Sequence, residues 1–147
     1  EDSGLHITAV PAQHFSARSL SDRNNTLWCG FVIESALGNM YFAGDTGFGP
    51  FVDEIAARYP SFVLGLIPIG AYNPAWMMRP VHADPDEALN MHDKLHIRTS
   101  IGIHHGTFRL TDEPQGEPQA LIEQARGERD FRVLANGGTV LMKAPLS

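Results

Sequence analysis

The chain has 147 residues, enough for one domain with a real core. Its 17 acidic and 11 basic residues leave a formal net charge of −6, a poor bulk match to nucleic acid. An apolar share of 43% excludes a disordered chain, and no run is long and apolar enough to span a membrane. The single cysteine, Cys29, rules out an intramolecular disulfide and leans toward a reducing compartment. It sits in the apolar run from Leu27 to Ile33, where a buried packing residue is expected. The N-terminus has no signal-peptide pattern, and the start at Glu1 without a methionine reads as a piece of a longer protein. Cytoplasmic placement is the expectation, with peripheral membrane association as the alternative.

Leu5 to Val10 reads as a strand that ends at Pro11, and a polar loop carries the chain to Thr26. Leu27 to Ser35 is a near-continuous apolar run, typical of a strand covered on both faces. A turn at Ala36-Leu37-Gly38-Asn39 makes it a hairpin with a strand from Met40 to Ala43. Phe51, Ile55 and Tyr59 fall on one helix face, and Phe62 to Ile69 reads as a buried strand. The loop from Tyr72 to Met78 is unusually apolar. Asp84-Pro85-Asp86-Glu87 is a helix start with a capping aspartate, a proline at the first turn and a glutamate that can reach back. That helix should run to about Leu95. Thr99 to His104 is another strand, and Pro118 to Arg126 another helix. Phe131 to Ala135, a turn at Asn136-Gly137-Gly138 and Thr139 to Lys143 predict a closing hairpin. The whole predicts one mixed α/β layer structure without repeats or linkers.

Three residues share one feature. His14, Asp45 and His104 each stand where a predicted strand gives way to a loop, the place where α/β enzymes carry reactive groups. Imidazole and carboxylate are ligand types that catalytic zinc accepts. Gly44 and Gly47 flank Asp45 and permit a tight turn. The plainer readings stand beside this: Asp45 as the side chain of an Asx-turn, and the histidines as solvated residues at strand ends. His92 and His96 are four apart on a predicted helix, and they read as a solvated helix face. Composition and spacing alone leave the choice open.

Several segments occur in a telling order: Pro11-Ala12-Gln13-His14-Phe15, Asp22 to Trp28, Phe42-Ala43-Gly44-Asp45-Thr46-Gly47-Phe48, Ile67-Pro68-Ile69-Gly70-Ala71-Tyr72, His82 to Ala88, and Ile103-His104-His105-Gly106-Thr107-Phe108. In that order they resemble the C-terminal half of a metallo-β-lactamase superfamily hydrolase. The similar branch is that of the N-acyl-phosphatidylethanolamine-hydrolysing phospholipases D and their bacterial relatives. The resemblance runs from about Pro11 to the last hairpin. It implies an α/β fold: the C-terminal half of an αββα sandwich, a mixed sheet with helices on one face, residues 1–147 forming a single partial domain without its N-terminal half.

The resemblance also implies a dinuclear zinc site. His14 would hold one metal, His104 the other, and Asp45 would bridge them. His82 matches a histidine near the substrate phosphate, which makes Asp45 and His82 the candidate catalytic residues; the flank of the Asp84 helix is the other reading of His82. Tyr72 and Trp76 are candidate substrate contacts in the apolar loop, which could admit a lipid or pack against the absent half. His105 and Phe15 stand where tryptophan is usual, and Asn73 where glutamate is common, so the pocket lining departs from the branch. The main upstream signature, His-x-His-x-Asp-His, is not in this sequence. The chain therefore holds part of the implied ligand set, and alone it is expected to bind zinc weakly and to be inactive.

The complete protein is expected to hydrolyse a phospholipid or another phosphodiester. A lactonase on the same fold and a non-catalytic fragment are the alternatives. Either the missing N-terminal half or a second copy of the chain is the expected partner, since a sheet face of several hundred Å² would otherwise leave on the order of 10 kcal/mol of burial unrealised.

Overall fold

Six segments pair into one mixed sheet in the computed structural model, which describes residues 4–19 and 21–142. The first three form a meander: β1 (His6–Val10), β2 (Gly30–Ser35) and β3 (Gly38–Phe42). Each pairs antiparallel with the next, with Ile7 opposite Ile33 and Ile33 opposite Met40. The β2–β3 turn is closed by the Ser35 hydroxyl, which accepts from the Leu37 amide at 3.2 Å and donates to the Gly38 carbonyl at 3.0 Å. Gly38 sits there at φ +112°, a conformation that L side chains rarely adopt.

From β3 onward the strands run parallel and alternate with helices. α1 (Phe51–Arg58) leads to β4 (Leu64–Pro68); the single turn α2 (Ala75–Met78) and α3 (Pro85–Lys94) lead to β5 (Ser100–Ile103); α4 (Glu117–Ala125) leads to β6 (Phe131–Arg132). α1 buries Phe51, Val52 and Ile55, with Asp53 and Glu54 in its first turn and Arg58 in its last, as the helix dipole favours. The predicted capping box on α3 forms. The Glu87 amide donates to Asp84 Oδ1 at 2.8 Å, and the Asp84 amide donates to Glu87 Oε2 at 3.3 Å. Glu87 also holds Arg79 at 2.8 Å, which anchors the loop before the helix.

Sheet order is β1-β2-β3-β4-β5-β6. Right-handed crossovers along a steadily advancing parallel order place α1, α3 and α4 on the same face. Burial agrees. Val32, Tyr41 and Ile67 lie in the core with Ile55, Ala88, Met91, Leu95 and Ile122 from the helices. Their neighbours on the opposite face are Ile7, Phe31, Ile33, Met40, Phe42, Leu64, Leu66 and Ile101, joined by the pairing register. Ile7 is 61% exposed, and Phe31 and Phe42 are 38% exposed each. This is the half-sandwich expected from the sequence: a mixed α/β sheet with helices on one face.

Several local expectations need correction. The apolar run at Leu27 is not strand throughout. Pairing starts at Gly30, Leu27 is 95% exposed, and only one face of β2 is covered by described residues. Cys29 is exposed rather than packed, because it precedes the first paired residue. His92 is buried, not solvated. Its Nδ1 lies 2.8 Å from the Ser100 hydroxyl, while His96 leaves the helix at φ +48° and is exposed. The closing hairpin does not form among the described residues. Gly138 makes its turn bond to the Ala135 carbonyl at 2.8 Å, yet residues 139–142 are not strand, and Lys143 lies outside the described residues. Phe131 and Arg132 pair with β5 instead, because a parallel sheet edge offers more than an isolated two-stranded ribbon.

Two substitutions test this packing. Asp84→Ala removes the side-chain acceptor of the capping box and should lower unfolding free energy by about 1–2 kcal/mol in urea titration, with Asp84→Ser recovering much of the loss. Gly70 follows β4, and a Cβ there would collide with the main-chain oxygen of His104 after β5. Gly70→Ala should cost about 1–3 kcal/mol by the same measurement, because neither backbone can retreat without breaking the sheet.

Candidate functional site

The sheet decides which loops can meet. Two antiparallel steps make β1 run the same way as β3, and two parallel steps carry that direction to β4 and β5. The C-terminal ends of all four strands therefore open on one edge. His14 follows β1, Asp45 follows β3, residues 70–73 follow β4, and His104 follows β5 directly. Backbone hydrogen bonds then tie these loops together. Thr46, fully buried, accepts from the Gln13 amide at 2.8 Å, and the Gly47 amide donates to the Gln13 carbonyl at 2.8 Å. The Ala83 amide donates to the Thr46 carbonyl at 2.9 Å, which brings His82 to the same edge. Gly47 is needed for that approach, since a Cβ there would meet the Arg79 and Pro80 carbonyls at 2.8 and 2.9 Å.

Four side chains result from this arrangement as one cluster. His104 Nε2 lies 3.3 Å from Asp45 Oδ2. The His82 ring stacks on His104 at 5.0 Å between centroids and meets His14 edge-on at 5.1 Å. His104 itself is in the left-handed region at φ +58°, unusual for a residue with a Cβ. The ring of His14 is oriented by a 2.8 Å bond from Nδ1 to the Phe15 carbonyl. A carbonyl only accepts, so Nδ1 carries a proton and Nε2 is the nitrogen left for another partner. Burial pushes the His82 pKa down to about 4, helped by the neighbouring His104 and His14. Its Nδ1, like that of His104, is buried with no hydrogen-bond partner among the described residues.

These donors are the right kind for a divalent metal: imidazoles, one with its Nδ1 engaged by a carbonyl, beside a carboxylate. They do not make a cage by themselves. Among the described residues, no three of His, Cys, Asp and Glu converge closely enough to hold an ion.

The cluster lies in an open cleft of about 560 Å³, lined also by Phe15, Arg23, Ala71, Met77, Leu110 and Thr111. Two expected contacts are not in its lining. Tyr72 is buried, with its hydroxyl donating to Glu117 at 2.7 Å, and Trp76 is 81% exposed. A second cavity of about 330 Å³ adjoins the first and shares Ala71, His104, Leu110 and Thr111 with it; His105 and Arg109 line this one. Sequence reasoning passed over Arg23 and Glu113. Arg23 lies over the Phe15 ring at 5.6 Å, and Phe15 in turn stacks on His14 at 4.7 Å. The one signal for Arg23 was its place in the Asp22 to Trp28 segment; Glu113 left none, because its partners are main-chain amides of a distant loop.

Comparison with known proteins identifies the family. A family model described as "Beta-lactamase superfamily domain" matches residues 1–105. The chain is 40% identical over 128 residues to N-acyl-phosphatidylethanolamine-hydrolyzing phospholipase D 1 of Caenorhabditis elegans, covering 86% of this chain and 36% of that protein. It is 39% identical over 125 residues to the mitochondrial N-acyl-phosphatidylethanolamine-hydrolyzing phospholipase D of Saccharomyces cerevisiae, covering 80% of this chain and 26% of the relative. The chain thus spans about a quarter to a third of the length of these two relatives. Among solved structures it resembles Igni18, a metallo hydrolase from Ignicoccus hospitalis, with a TM-score of 0.68 and 27% identity over 95% of this chain and 53% of the other. From the matched domain, the sheet with its helices on one face and these relatives together, the chain belongs to the β-lactamase superfamily and has the metallo-β-lactamase fold.

Proposed function

We propose that this chain is part of a metal-dependent hydrolase that cleaves phosphodiesters of the N-acyl-phosphatidylethanolamine type, with a dinuclear zinc site. The observation that carries the reading is the convergence of His14, Asp45, His82 and His104 at one sheet edge. His14 and His104 would each offer a ring nitrogen to a metal, and Asp45, half-exposed, would offer two oxygens to a pair. The rest of the ligand set would come from outside residues 1–147. Zinc bound there supplies an activated water and offsets charge on phosphate oxygens.

The chain's own side chains do the remaining work. His82 is held neutral by burial, so near pH 7 its imidazole is free to accept a proton or a hydrogen bond rather than repel a cation beside it. Arg23 places a permanent positive charge in the lining, suited to an anionic phosphodiester. The exposed Met77 and Leu110 give the mouth an apolar rim that fits acyl chains. We also assign the open sheet face to the N-terminal part of the same polypeptide, or to a second copy when the chain is alone, because Ile7, Phe31 and Phe42 leave an apolar surface in water. No helix among the described residues is long and apolar enough to cross a membrane.

Metal analysis and a phosphodiesterase assay on the complete gene product test the activity. Zinc should co-purify, a chelator should abolish turnover, and Asp45→Asn or His104→Ala should each lower metal content and cut kcat by about 100-fold or more. Full activity in Asp45→Asn would end the reading. Arg23→Gln should raise KM for the anionic phosphodiester about tenfold and leave that for a neutral ester nearly unchanged. For the isolated 147-residue chain, light scattering at micromolar concentration should show self-association that Phe31→Glu reduces. A monomer at every concentration would contradict the assignment of that face.

A further inference from the structure

Glu113 is 8% exposed. Its two oxygens are taken by main-chain amides of one turn. The Ala71 amide donates to Oε1 at 2.6 Å, and the Asn73 amide donates to Oε2 at 3.1 Å. Ala71 stands at φ +65°, in the left-handed region that a residue with a Cβ occupies only when held there. Nearby, the Asp112 amide donates to the Asn73 carbonyl at 3.2 Å, so the loop after β5 grips the loop after β4 from both sides of the peptide chain. Ala71 and Thr111 line both the histidine cleft and the adjoining cavity, so this double loop is the wall between them.

Burial by itself would raise the Glu113 pKa. Hydrogen bonds from the Thr111 side chain and from the amides of Glu113, Asn73 and Ala71 outweigh it and hold the pKa below the ordinary carboxylate value. The group is thus a buried anion at neutral pH, and its charge is met by peptide dipoles instead of a cation. A glutamine of the same shape could not replace it, because its NH₂ would face an amide N–H, donor against donor.

We infer that Glu113 is a positioning residue, whose carboxylate holds the turn at residues 71–73 in the shape that lets the wall contact substrate. This rests on the hydrolase reading of the same site. It assigns Glu113 no part in the chemical step, since both oxygens face the turn.

The test uses the complete gene product. In the wild type, hydrogen exchange followed by NMR should show the Ala71 and Asn73 amides strongly protected; rapid exchange at both would overturn the proposal without any variant. Glu113→Gln should shift both amide resonances and raise KM for a phosphodiester about tenfold, while kcat stays within about twofold, as loss of uniform binding predicts. Glycine adopts the left-handed conformation freely. In an Ala71→Gly background the effect of Glu113→Gln on KM should therefore shrink to about threefold, a coupling that a general loss of stability would not produce. Unchanged KM and unchanged amide resonances in Glu113→Gln would sink the inference. Should the wild type turn over no phosphodiester, the hydrolase reading falls, and the exchange and resonance data still judge the clamp.

Discussion

Everything at the candidate site depends on the direction of four strands. The meander from β1 to β3 reverses the chain twice, and the parallel crossovers after it reverse nothing at the sheet. Four C-terminal strand ends therefore share one edge, and the residues that follow them have nowhere else to go. Thr46 then welds three of those loops together: it bonds the Gln13 amide beside His14, lies next to Asp45, and receives the Ala83 amide beside His82. The histidine cluster is the consequence of main-chain hydrogen bonding. Few of its contacts are between the clustered side chains themselves.

Burial and polarity are divided along the same line. The helix-covered face of the sheet is apolar and closed, with Tyr41, Ile67 and Phe131 fully or almost fully buried. At the strand ends the chain accepts groups that a core would reject. His82 is buried and neutral, and Glu113 is buried and ionised, each for a stated local reason: two neighbouring imidazoles and lost water for the first, two loop amides and a hydroxyl for the second. Positive φ at Ala71 and at His104 marks the same edge as strained. Strain, orphaned ring nitrogens and a cleft coincide there among the described residues.

The opposite sheet face tells a different story about length. Its residues are as apolar as those of the covered face, from Ile7 through Phe31 and Phe42 to Leu66 and Ile101. A sequence that spends this many aliphatic and aromatic side chains on both faces is written for two layers of cover, and one layer is present among the described residues. The chain also spans about a quarter to a third of the length of its two phospholipase D relatives.

Local chemistry was legible without coordinates wherever neighbours in sequence are neighbours in space. The capping box of Asp84 and Glu87, the hairpin of β2 and β3, and the strand-end positions of His14, Asp45 and His104 follow from spacing and turn residues. The same local logic misread Cys29, His92 and the strand after the turn at Gly137, because burial and pairing depend on what arrives from elsewhere in the chain. The sequence by itself determined most of the element order and the apolar character of both sheet faces, and its resemblance to a family nominated the candidate ligands. Only the tertiary structure decided that Arg23 reaches the cleft, that Tyr72 points its hydroxyl at Glu117, and that Glu113 holds the turn at Ala71 and Asn73. Each of these is a contact across tens of residues, and periodicity carries no record of such contacts: it reports which face a side chain takes, and the partner on that face is set by how the strands are ordered in space.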